Sequence, residues 1–179
     1  MAVWMWSSFL LLAAEPPAAA AATDATAATA APPVEDAGVV RLVVPVGEPV
    51  DAVRRRVGEH PGGVSLAFAG AGWGWTADDV EAFVYRAIEA RNLRSLDLHG
   101  QPVGLGGAKA IAASPHLGAL RALDLVGCDI AEAGARALAY SPGLGALERL
   151  RVDATVGARG LAALKERYGA RVEVVEPPR

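Results

Sequence analysis

The feature that most constrains this chain is that part of it repeats. Residues 92–120, NLRSLDLHGQPVGLGGAKAIAASPHLGAL, align without a gap on residues 119–147, ALRALDLVGCDIAEAGARALAYSPGLGAL, at an offset of 27. Leu93, Leu96 and Leu98 fall on Leu120, Leu123 and Leu125, and Asp97 falls on Asp124. Val103 falls on Ile130, Gly107-Ala108 on Gly134-Ala135, and Ser114-Pro115 on Ser141-Pro142. A third copy starts at Leu147 with Leu150 and Val152 in step. Its helix then runs about one residue early, at Gly160. Self-similarity at this period means one supersecondary unit laid down several times, each burying its apolar face against the next.

The unit changes period halfway. In LRSLDLH, Leu96 and Leu98 alternate with Ser95, Asp97 and His99, the pattern of a strand with one buried face. Beyond it Leu105, Ala108, Ile111 and Ala112 form a helical stripe, as do Ala135, Leu138 and Ala139 in the next copy. Ser-Pro and Gly close each helix. Strand–helix units this short predict parallel strands backed by helices, and the repeated Gly107 and Gly134 let those helices approach closely.

The spacing L-x-x-L-x-L-x-x-[N/C]-x-[L/I/V] followed by a helix resembles the leucine-rich repeat, in its longer ribonuclease-inhibitor-like type. Cys128 sits at the Asn/Cys position, where the neighbouring copies depart from the pattern with Gln101 and Thr155. The resemblance covers residues 93–168. It implies an α/β fold, a short leucine-rich-repeat-like solenoid with a curved parallel sheet and one layer of helices. It also implies that partners dock on the exposed sheet face.

The flanks extend the pattern irregularly. VVRLVV (39–44) and VSLAF (64–68) read as strands, EPVDAVRRRVGE as a helix between them, and RVEVV (171–175) as a last strand. TADDVEAFVYRAIEARN reads as a strong helix. Thr76 caps it with Asp79 three residues on, and Val80, Phe83, Val84, Ala87 and Ile88 share a face. The strand-to-strand step here is 30 residues, from Leu66 to Leu96. Residues 38–176 are therefore expected to form one repeat-like domain. Residues 38–92 serve as irregular N-terminal cap units, 93–168 as repeats and 169–176 as a terminal strand.

Ahead of this domain, residues 1–14, MAVWMWSSFLLLAA, resemble the apolar core of a secretory signal peptide. They are too short to span a bilayer, and small residues suited to cleavage follow. A charged n-region is missing. Residues 15–37, rich in Ala, Thr and Pro, read as a disordered linker. The expected location is periplasmic or extracellular. The alternative is a cytoplasmic protein with residues 1–37 as a tail.

Charge narrows the partners. All four acidic residues before residue 38 lack a Lys or Arg beside them, and from 38 onward 17 basic residues meet 16 acidic ones. That balance gives no footprint for nucleic acid. The run Arg54-Arg55-Arg56 reads as a solvated helix face. One cysteine excludes an intrachain disulfide and a cysteine-rich zinc site, and His60, His99 and His116 show no metal-ligand spacing. No metal, cofactor or convergent catalytic set is expected.

Three features invite chemistry. Cys128 and His99 follow equivalent strands and could pair as nucleophile and base, but the repeat predicts a buried turn residue instead. GAGWGW (70–75) lies between a strand and a helix, the setting of a phosphate loop, yet Trp75 stands where G-x-G-x-x-G needs its third glycine. Trp73 and Trp75 are either core caps or exposed anchors for a partner.

Repeat logic stacks exposed strand residues into rows about 4.8 Å apart per step. One row is Ser65, Ser95, Ala122, Arg149; the next is Ala67, Asp97, Asp124, Arg151; the third is Ala69, His99, Val126, Asp153. The expected function is a non-enzymatic protein-interaction module. Its partner-binding candidates are Asp97, His99, Asp124, Arg149, Arg151, Asp153, Trp73 and Trp75. The alternative is a small nucleotide-binding protein or enzyme using the Gly70–Trp75 loop with His99 and Cys128.

Overall fold

The computed structural model describes residues 38–70 and 74–176. The expected signal-like segment, the linker and Trp73 lie outside the described residues. Six strands, β1 (Val40–Val44), β2 (Val64–Phe68), β3 (Leu93–Asp97), β4 (Ala122–Asp124), β5 (Arg149–Asp153) and β6 (Val172–Val175), form one sheet in sequence order. Every pairing is parallel. Five helices join them: α1 (Val50–Gly58), α2 (Ala77–Glu81), α3 (Gly104–Ala113), α4 (Ala131–Ala139) and α5 (Gly157–Tyr168).

The period-2 alternation sorts each strand into two faces. Leu66, Leu96, Leu123 and Leu150 are in register across four strands and are all buried in the core with the helices. Helix packs on next helix, α2 on α3, α3 on α4 and α4 on α5. Glycine makes that approach possible. A Cβ at Gly134 would stand 3.0 Å from the Ala108 Cβ, and one at Gly160 would stand 2.9 Å from the Ala135 Cβ.

Side chains also stitch each unit to the one before. The repeated Ser-Pro serines do more than close a helix. Ser114 Oγ donates to the Val84 carbonyl, and Ser141 Oγ donates to the Ala112 carbonyl at 2.6 Å. Tyr168, 27 residues after Ser141, donates to the Leu138 carbonyl at 2.9 Å. On the opposite edge of each unit, Gln101 Nε2 donates to the Gly70 carbonyl at 2.9 Å and Cys128 Sγ to the Leu98 carbonyl at 3.0 Å. Buried carbonyls need such donors, because an unmet one costs as much as a lost hydrogen bond.

One expected helix is divided. After the Thr76–Asp79 capping box, which forms in both directions, α2 ends at Glu81 and a π-helical turn follows over Ala82–Arg86. Ala87 is then extended (φ −88°, ψ 116°), and a 3-10 turn covers Ile88–Asn92. The break takes up the three residues by which this unit exceeds the 27-residue step. It also turns the face. Val80, Phe83, Val84 and Ala87 stay buried as the periodicity predicts, but Ile88 is thrown outward and Ala90 goes in.

Candidate functional site

The sheet face opposite the leucines carries a shallow hollow of about 30 Å³, lined among the described residues by strand residues alone, from Arg41 on β1 to Arg149 and Arg151 on β5. A volume of this size admits water but does not enclose a small molecule. Its rows follow the register. Arg41, Ser65, Ser95, Ala122 and Arg149 lie side by side across five strands, and Asp97, Asp124, Arg151 and Glu173 across four.

The β4–β6 half of this face is internally neutralised, where the sequence predicts exposed charge. Asp124 and Arg151 are buried and ion-paired to each other. Burial holds the Asp124 carboxyl above its ordinary value, against the opposing pull of the Val126 N–H and the Arg151 guanidinium. Glu173, on the edge strand, sits 3.7 Å from Arg151 and 3.6 Å from Arg149. Asp153 is buried too, accepting from the Gly127 N–H at 2.7 Å and from the Thr155 N–H at 2.9 Å. Inside a parallel sheet a short carboxylate is shielded by its neighbours. These residues face one another before they face solvent.

The repeated aspartates have a local task. Asp97 accepts from the His99 N–H at 3.0 Å, Asp124 from the Val126 N–H at 3.0 Å, and Asp153 from the Thr155 N–H. Each carboxylate closes an Asx turn where its strand ends. The recurrence of Asp at this position is therefore explained by turn chemistry before any partner is invoked.

The remaining candidates separate. Cys128 is fully buried, its thiol given to the Leu98 carbonyl, and burial pushes its pKa up to about 12. A nucleophilic cysteine needs the opposite shift. His99 is half-buried, and its Nδ1 is a buried atom without a hydrogen-bond partner among the described residues. Trp75 is core. It is 3% exposed, with ring centroids 5.0 Å from Phe68 and 4.8 Å from Phe83, so it is not an exposed anchor.

In the glycine loop, both described glycines meet Gln101. The Gly70 carbonyl is taken by Gln101, and a Cβ at Gly74 would fall 1.8 Å from Gln101 Oε1. Gly74 therefore serves packing, and Gly70 holds φ +92°, where a side chain would be strained. The adjoining hollow of about 180 Å³ is lined by Val44, Phe68 and Trp75 with the carboxylates of Glu48 and Asp79, and by no Lys or Arg among the described residues. Among the described residues no group of three metal-ligating side chains occurs, and no helix is long and apolar enough to cross a membrane.

Sequence reasoning missed Arg41, Val43 and Glu173. The register places all three on the face, and the alternation of VRLVV and VEVV was the available signal. No protein-family model matches the chain, and no curated protein matches it.

Proposed function

We propose that the chain is a non-enzymatic protein-interaction module. It is built as a short leucine-rich-repeat-like solenoid and engages its partner through the sheet face opposite the leucine core. The observation that carries this reading is the hollow, lined among the described residues by residues of five strands and by no helix residue. The unit-to-unit bonds from Gln101, Cys128, Ser114, Ser141 and Tyr168 support a solenoid, since each ties one repeat to the previous one. The sequential, all-parallel strand order supports it as well. Right-handed crossovers that all step the same way put their helices on one side of the sheet and none, among the described residues, on the other. An inert thiol and a carboxylate-lined second hollow weigh against the nucleotide or enzymatic alternative.

The test is a photoreactive residue placed at Ala122 in the hollow or at exposed Tyr140 on the helix side, with cross-linking in extract of the native host. The reading expects a discrete protein adduct from position 122 that position 140 does not give. Adducts from 140 alone overturn it. Export of the chain is part of the same reading, and the mass of the mature N-terminus in the host tests it. An intact Met1 in the cytoplasm contradicts it.

A further inference from the structure

The hydrogen-bonding and charged groups on the face divide into those already satisfied and those still open, and the open ones lie together on β1–β3. Arg41 is exposed and has no hydrogen-bond or ion-pair partner among the described residues. Asp97 is half-buried. One of its oxygens accepts the His99 N–H, and no cation among the described residues lies within ion-pair distance of it. Between them, Ser65 and Ser95 are 5% and 8% exposed, line the hollow, and have hydroxyls with no hydrogen-bond partner among the described residues. Val43 stands beside them at 45% exposed, in register with small Ala67.

We propose that this β1–β3 half of the face is the recognition site and that its partner is a protein segment bearing one acidic and one basic side chain. The acidic group meets Arg41 and the serine hydroxyls; the basic group meets Asp97. The proposal rests on the reading of the face as a protein-binding surface. Arg41 shares its row with Ser65 and Ser95, so Asp97 lies two strand spacings across and two residues along from it, about 12 Å away. A segment crossing the strands spans that with side chains on one of its own faces. The low floor of Ser65, Ala67 and Ser95 lets those side chains reach in, and Val43 supplies apolar contact beside the charges. A purely acidic segment would face Asp97, and a purely basic one Arg41. Opposite charges at fixed separation give orientation as well as attraction.

The test is selection of a phage-displayed library of random dodecapeptides on the intact chain, followed by affinity measurement with variants. The expected peptides carry an Asp or Glu and a Lys or Arg at a constant spacing. Arg41→Glu and Asp97→Lys each weaken them by about tenfold or more. The double variant Arg41→Glu/Asp97→Lys recovers binding to peptides with the two charges exchanged. Ala122→Trp, which fills the hollow at a half-buried position, reports on the face itself, with a thermal unfolding midpoint measured alongside to confirm folding. If peptides bind, are blocked by Ala122→Trp and ignore both charge variants, the charge inference fails and the face reading stands. If binding survives Ala122→Trp in a folded protein, or no peptide is enriched, both fail.

Discussion

The two halves of one sheet face use the same residue types to opposite ends. On β4–β6, Asp124, Arg151, Arg149 and Glu173 close on one another. On β1–β3, Arg41 and Asp97 stand apart across a floor of Ser65 and Ala67. What separates the halves is the occupant of the intervening strand. Asp124 is in register with Arg151 on the adjacent strand, so opposite charges meet at one strand spacing. Arg41 is in register with Ser65 and Ser95, with β2 between it and β3 and Asp97 two residues further along, so the charges there do not meet. A charged residue on a parallel sheet is thus structural or available according to its lateral neighbour.

The largest expected effect breaks the closed half. Arg151→Ala leaves the buried Asp124 carboxylate uncompensated and costs about 3 kcal/mol of stability by urea unfolding, whereas Arg41→Ala in the open half stays within about 0.5 kcal/mol. Next comes helix packing behind the two halves. A Cβ at Gly160 meets the Ala135 Cβ and, at 3.3 Å, the Glu132 Cα. One at Gly58 meets only the flexible Glu89 side chain, at 3.3 Å. Gly160→Ala should cost about 1–3 kcal/mol through overpacking, and Gly58→Ala far less. A smaller gain is available at Ala131. It holds φ +55° at the first helical position, where the neighbouring copies place Gly104 (+57°) and Gly157 (+68°). Ala131→Gly relieves that strain and should raise stability by about 0.5–1 kcal/mol in the same measurement.

The smallest effect is a pH dependence. The Asp124 carboxyl binds its proton more tightly folded than unfolded, because burial raises its pKa. Stability from this group is therefore lost as pH rises from the unfolded value through the folded one. The stability of the parent chain minus that of Asp124→Asn should fall across that window. A flat or rising difference contradicts the assignment.

Much of the fold was legible in the sequence because it follows from periodicity. The 27-residue offset places Leu96 beside Leu123 and Leu123 beside Leu150, and the structure pairs them so. The break at Ala87 was not legible, since a helical pattern through Ile88 does not reveal where a longer unit must shed residues. The candidate site was half legible. Alternation told which residues share the face, including Asp97, Asp124 and Arg151. Their availability depends on lateral neighbours two elements away in sequence, which a one-strand pattern does not encode. Trp75 shows the same limit, since its rank as core or anchor rests on Phe68 and Phe83 closing over it.

The difference between the halves is most directly measured by paired double-mutant cycles on stability, Asp124→Ala with Arg151→Ala and Asp97→Ala with Arg41→Ala. The account predicts a coupling of more than about 1 kcal/mol for the first pair and less than about 0.3 kcal/mol for the second. Equal couplings, or a larger one between Arg41 and Asp97, would contradict it.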